Sequence, residues 1–480
     1  MKPQITKIQE LKENRSLAVL FTGTSELPAG MLNSRELKYL EKTTEKEPEA
    51  VIFRYPEFMF FYKINKDGSY GAQAEQSRKA GACLYPLLKK EKSGSIQILN
   101  YGQKRWTLPF IEGLFLATYS FNKYKKEKES RVLSELFILD DSISNAELQE
   151  IQILTDAVFF ARDLVNEPVI TLTANRLAEE IRKVGDTVGF TTEILGKQKI
   201  EALKMGGLLA VNKGSVDPPT FSILEWNPAN KVNAHPLVLA GKGVVFDTGG
   251  LSLKPTLRSM DYMKSDMSGA AVVAAVLSAV ARANIPLHII GLIPATDNRP
   301  VGNALTPGDI ITMHDGSTVE IKNTDAEGRL LLADALSYAK KYNPALVIDI
   351  ATLTGTAEMI TGDVGIAAMG NTPRYLASLK NSGEETWERI VELPLWEEFS
   401  ESLKSPVADL SNLGSREGQA SIAGKFLEHF TGYPWIHLDI AGSAFIRENK
   451  GYRREGGTGT GTRLLFHFLK NTDFNSNHAT

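Results

Sequence analysis

Between residues 237 and 350 short apolar, β-branched runs alternate with longer segments of helical periodicity, and this alternation limits the fold more than any other feature. Runs 237–239, 288–293 and 346–350 read as strands, and 269–282 and 330–341 read as helices. Strands joined through helices run parallel, because a parallel pair needs a long crossover. The expectation is an α/β fold with a mainly parallel central sheet and helices on both faces. Residues 435–439 supply a late strand and 462–469 a final helix.

The part before this region mixes both element types. Runs 17–21, 51–53, 58–62, 96–99 and 136–139 read as strands, and 73–88 and 109–119 as helices. The lysine-rich stretch 123–131 reads as an exposed loop or a solvated helix end. Residues 145–164 form a long amphipathic segment without Gly or Pro, stopped at Asn166-Glu167-Pro168. A chain of 480 residues exceeds one ordinary core. The division expected is a smaller N-terminal α/β domain over 1–144, a connecting helix over 145–168 and a larger C-terminal domain over 169–480.

Composition narrows the function classes. A 42% hydrophobic and 23% charged chain is globular rather than disordered. A formal net charge of −3, with no dominant basic block, argues against nucleic acid as the main partner. Cys83 is the single cysteine, so no intrachain disulfide forms, and a reducing, cytoplasmic compartment is expected. The N-terminus reads as a first strand rather than a signal peptide. No run of about 18 consecutive apolar residues is counted, so no membrane span or membrane partner is expected.

Three polar segments interrupt the apolar pattern. The first, 241–250, carries Lys242 and Asp247 between glycines. The second, 260–267, carries Met263 and Asp266 before a helix of small residues. The third, 322–329, carries Asp325, Glu327 and Arg329 before the next helix. Ligands in α/β folds collect at the carboxyl ends of strands. Asp325 and Glu327, two apart, point to one side if they continue an extended strand end. Asp247, Asp266, Asp325 and Glu327 then converge, and that many carboxylates repel one another unless cations lie between them. Two hard divalent ions sharing bridging carboxylates resolve the repulsion. Lys242 joins such a set as a neutral amine, since a nearby dication lowers an amine pKa. Each feature alone has an ordinary explanation: Asp325 and Glu327 as acids at a helix N-terminus, Asp266 as a cap, Lys254 as a solvated cation, Met263 as core. Their co-occurrence is what points to a metal site. No histidine lies in the three segments, which argues against a histidine-based zinc site.

At these residues the sequence resembles the leucyl aminopeptidase, or cytosol aminopeptidase, family. Residues 323–330 look like its signature, while 161–168, 241–250, 263–271, 349–355 and 435–442 are similar to further family stretches. The resemblance covers about 155–480 and implies a macro-like N-terminal domain ahead of a metallo-aminopeptidase catalytic domain. It implies one metal site of Lys242, Asp247, Asp266 and Glu327, and another of Asp247, Asp325 and Glu327. The metals would be zinc or manganese, with cobalt or magnesium compatible. A hydroxide bridging the two ions would attack the peptide carbonyl. Lys254 would polarise that carbonyl, and Arg329 would hold a bicarbonate acting as general base. Asp266 would meet the free α-amine, Met263 the first side chain, and Thr352, Leu353 and Gly355 the substrate main chain. Partners implied are peptides with a free N-terminus and a homohexamer of two trimers. Two departures stand out: 255–265 is one residue longer than the common family pattern, and 455–462 is rich in Gly and Thr.

Three other readings compete. A different metal hydrolase is opposed by 323–330 together with the lysine pair. A nucleic-acid-binding or regulatory role finds little support in the near-neutral charge. A non-catalytic scaffold is opposed by the retention of every ligand together with Lys254 and Arg329.

Overall fold

The computed structural model describes residues 3–103, 105–127 and 132–474. Contacts divide the chain into two units, 1–155 with 448–455, and 156–447 with 456–480. The division falls inside helix Asn145–Asn166, and 448–455 returns to the first unit.

The first unit holds a six-stranded sheet in the order Gln4–Lys7, Glu135–Leu139, Ser95–Asn100, Leu17–Phe21, Glu57–Lys63, Glu49–Arg54. All neighbours are parallel except the last pair. Helix Ser34–Thr44 opens with a capping box, Asn33 accepting from Glu36 N–H while the Glu36 side chain accepts from Asn33 N–H. Helices Tyr70–Lys90 and Thr107–Ala117 cross at Gly81 and Gly113, where an added Cβ would lie 2.1 and 2.0 Å from the facing carbonyl oxygens of Phe110 and Arg78. Of the stretch read as a loop or helix end, 123–127 is exposed and non-helical, and 128–131 lie outside the described residues.

The second unit is built on a nine-stranded sheet. Its order is Ile390–Glu392, Ile366–Gly370, Trp435–Asp439, Leu346–Ala351, Leu237–Gly241, Ile289–Asn298, Thr220–Trp226, Thr191–Leu195, with Gly243–Asp247 also pairing on Ile289–Asn298. The central strands are parallel, as expected from the alternation. Antiparallel pairs flank them on both sides. Helix Ser268–Arg282 is buried from Ser268 to Ala281, which its Ala- and Val-rich, nearly featureless face permits. The stretch Met260–Arg282 is long and apolar enough to cross a membrane by length and composition, although no such span was counted in the sequence. Its apolar window is 89% buried within the unit, as in a core helix.

The Gly/Thr-rich stretch 455–462 has a packing explanation. Gly456 has φ +98°, and a Cβ there would lie 2.2 Å from Asn166 Oδ1. Thr458 and Thr460 both donate to the Ser443 carbonyl. The Glu388 carboxylate then accepts Gly461 N–H and Leu464 N–H, neutralising the start of helix Thr462–Asn471.

Candidate metal centre

The site forms where parallel strands end. Strands Leu237–Gly241 and Gly243–Asp247 lie along the same partner, Ile289–Asn298, and Lys242 occupies the break between them. Its N–H bonds to Ile350 O and its carbonyl accepts Ala270 N–H, so the backbone stays paired while the side chain turns inward. Gly328 leaves room for that side chain, since a Cβ there would lie 2.5 Å from Lys242 Cε. After Asp247, Gly249 adopts φ +84°, the left-handed turn that carries the chain toward Lys254.

Two ammonium groups sit among four carboxylates. Lys242 Nζ lies 2.7 Å from Asp266 Oδ1 and 2.9 Å from Glu327 Oε1, and also donates to Thr352 O at 2.9 Å. Lys254 Nζ lies 2.9 Å from Asp247 Oδ2 and 2.6 Å from Asp325 Oδ1. One oxygen each from Asp247, Asp325 and Glu327 fall within 4.8 Å of one another. Asp266 joins them through Lys242, not in the same cluster.

Asp325 and Glu327 do not continue a strand, contrary to the sequence expectation. They occupy a turn before helix Gly328–Ala339, with Glu327 already helical at φ −72°, ψ −38°. The turn is set by the Asn323 side chain accepting Asp325 N–H. Segment 260–267 is likewise a 3-10 turn rather than a strand end.

Two asparagines unmarked in the sequence reading hold this arrangement. Asn298 Nδ2 donates to Asp247 Oδ1 at 2.8 Å and Thr324 O at 3.0 Å, with Glu327 Oε2 at 3.4 Å. Asn412 Oδ1 accepts Lys322 and Asn323 N–H, and its Nδ2 donates to Asn323 O. The signal for Asn298 was present, a polar Thr-Asp-Asn run ending a strand. Asn412 carried none.

Burial and crowding govern the charges. Burial, then the charges of Asp247 and Glu327, push the Asp325 carboxyl up to about 7 despite Lys254. Burial likewise raises Asp266 well above its ordinary range against the pull of Lys242. Burial alone would lower Lys242, but Asp266, Glu327 and Asp247 raise it. A cation among these carboxylates reverses that sign, which is what a lysine ligand needs.

The residues fit divalent ions. Asp266 Oδ2 is buried without a hydrogen-bond partner, and an orphaned carboxylate oxygen is costly unless something binds it. The donor set is oxygen-rich with one amine, suited to zinc, manganese or magnesium.

Of the remaining expected site residues, Thr352 contacts the cluster, and the others lie on the same or adjoining segments. Met263 is half-buried on the 3-10 turn. Thr352 donates to Asp266 Oδ1 at 2.7 Å, Thr352 and Leu353 are half-buried, and Gly355 is exposed. Arg329 is buried on the first turn of its helix. It donates to Asn412 O at 2.8 Å, and its Nε has no hydrogen-bond partner among the described residues. Burial brings its pKa down to about 10, opposed by the charges of Glu327 and Asp439. The loop 255–265 is tied down: Tyr262 donates to Arg258 O, stacks on Phe445 at 6.1 Å and lies under Arg447 at 4.5 Å.

Comparison with known proteins bears on this site. The family described as the cytosol aminopeptidase family, catalytic domain, matches residues 159–466. A probable cytosol aminopeptidase of Chlorobium limicola is 47% identical over 377 residues, covering 75% of this chain and 74% of the relative. One from Geotalea uraniireducens is 44% identical over 400 residues, covering 82% and 80%. Among solved structures, the bottromycin maturation enzyme BotP in complex with Mn superposes with a TM-score of 0.85 at 30% identity, covering 95% and 98% of the two chains. A mutant of tomato leucine aminopeptidase shares the fold, with a TM-score of 0.87 at 24% identity over 98% and 97%.

Proposed function

This chain belongs to the cytosol aminopeptidase family, and from that premise we propose that it is a two-metal aminopeptidase removing N-terminal leucine and other, mainly apolar, residues from peptides. The observation that carries the reading is the convergence of Asp247, Asp325 and Glu327, with Asp266 reached through Lys242. Lys242, Asp247, Asp266 and Glu327 would hold one ion, and Asp247, Asp325 and Glu327 the other. When bound, such a pair would supply Lewis acidity and lower the pKa of water toward neutrality.

The chain's own groups do the rest. Asp266 meets the free α-amine of the peptide beside the ion it would help to hold, which confines cleavage to N-termini. Lys254 donates to the oxygen that becomes negative as the carbonyl is attacked. Arg329 would hold a bicarbonate, which would supply a general base there. Thr352, Leu353 and Gly355 align the peptide main chain, and Met263 meets the first side chain. Zinc and manganese both suit the donors, and the manganese complex of the BotP relative supports manganese. A homohexamer, a cytoplasmic location and a macro-like N-terminal domain over 1–144, joined by the segment 145–168, helical over Asn145–Asn166, to the catalytic domain 169–480, complete the reading.

The test is a matched peptide pair, one with a free N-terminus and one N-acetylated, assayed before and after chelation. Cleavage of the free peptide alone, abolished by chelator and restored by a divalent metal, is expected. Equal cleavage of both peptides would refute amine recognition.

A further inference from the structure

The 352–355 segment is fastened at two places. At one, Thr352 meets the ligand cluster, its carbonyl accepting from Lys242 and its hydroxyl donating to Asp266. The other fastening is Asp439, which ends strand Trp435–Asp439 and is 1% exposed. Its Oδ1 accepts Leu353 N–H and Ala441 N–H, both at 3.1 Å, and its Oδ2 accepts the Thr354 hydroxyl at 2.7 Å. Thr354 in turn accepts Ala357 N–H and caps helix Gly355–Thr361. One carboxylate therefore fixes the backbone of the segment and the helix that follows it.

The strand that carries Asp439 is anchored by buried polar bonds. On the same strand, two residues earlier, fully buried His437 bonds through Nδ1 to Asp349 Oδ1 at 2.6 Å. Trp435 Nε1 donates to the other Asp349 oxygen at 2.7 Å. At Gly355 the segment is open, since a Cβ there would meet nothing within 4 Å among the described residues. A buried carboxylate is costly, and here the return is a fixed wall on an open site.

We infer that Asp439 is a positioning residue for the peptide main chain, acting through Leu353 and Thr354 without touching substrate or metal. The inference rests on the aminopeptidase reading, in which 352–355 aligns the substrate. Removing the carboxylate leaves Leu353 N–H unpaired and frees the wall, while the ligands Lys242, Asp247, Asp266, Asp325 and Glu327 keep their own partners. Substrate binding therefore weakens more than turnover.

The experiment measures kcat, KM, metal content and thermal midpoint for wild type, Asp439→Ala and Asp439→Asn with a free-N-terminus peptide. Asp439→Ala is expected to raise KM roughly tenfold or more, with kcat within about threefold and metal content unchanged. Asp439→Asn keeps one oxygen able to accept Leu353 N–H, so its KM rises by a smaller factor, and it carries the test if the alanine variant does not fold. A wild-type KM in a folded variant overturns the inference. So does a joint fall in kcat and metal content at unchanged KM, the mark of a purely structural role. If the wild type leaves such peptides uncut, the aminopeptidase reading itself fails and this role falls with it. If the wild type cuts them and the variants keep its KM, only the role of Asp439 fails.

Discussion

Lys254 and Arg329 are both basic and both near the ligands, yet the structure gives them different surroundings. Lys254 pairs directly with Asp247 and Asp325, whereas Arg329 is buried behind the cluster and bonds to Asn412 O. Lys254→Ala is expected to lower turnover about 100–1,000-fold, the usual cost of one oxyanion donor, with metal content preserved. Arg329→Ala is expected to cost less, because water can partly replace an anion held there. Near-normal turnover in both metal-loaded variants would contradict the roles assigned. Gly328 has no functional group, but a Cβ there would press on Lys242. Gly328→Ala is expected to displace Lys242 and weaken one of the two ions, read as metal content after dialysis; full retention with full activity would contradict it. The convergence of Asp247, Asp325 and Glu327 was legible in the sequence because acids and lysines crowd short polar segments that interrupt the apolar pattern. Asn298 and Asn412 were not, because an isolated asparagine has many ordinary uses in loops and turns.

At the scale of elements, the parallel strands and their helices were legible from periodicity. Leu237–Gly241 is a continuous apolar run buried throughout, and Leu346–Ala351 is buried throughout with Asp349 alone interrupting its run. Thr191–Leu195 was not legible, being a polar edge strand of sequence Thr-Thr-Glu-Ile-Leu with one face in solvent. Thr220–Trp226 carries Ser222 and Glu225 within its run, which obscured it. The turn 322–327 escaped for a different reason. Besides the local bond from Asp325 N–H to Asn323, the turn is held by Asn412, about 90 residues away in sequence, and no local pattern encodes a long-range side-chain bond. Asn412→Ala leaves Lys322 N–H, Asn323 N–H and Asn323 O without that partner. A loss of about 1–3 kcal/mol in unfolding free energy is expected, together with weaker metal binding, both measurable by denaturant titration of metal-loaded and chelated protein. Unchanged stability and unchanged metal affinity would show that the turn holds its shape unaided.

For the whole molecule, two α/β units follow from chain length and from the long segment 145–166, but the return of 448–455 to the first unit had no sequence signal. Contacts of that kind depend on tertiary packing rather than on local periodicity. Assembly is testable directly: the proposed hexamer has six times the 52.7 kDa chain mass in light scattering, and a monomer at working concentration would remove it from the account. The central claim, however, is that bridging carboxylates hold a metal pair that performs peptide hydrolysis. The most direct measurement is metal content and peptidase activity on the same samples of wild type, Asp247→Ala and Glu327→Ala. The account predicts about two divalent ions per chain in the active wild type, and loss of both ions and of activity in each variant. Tight retention of both ions at full activity in either variant would contradict it.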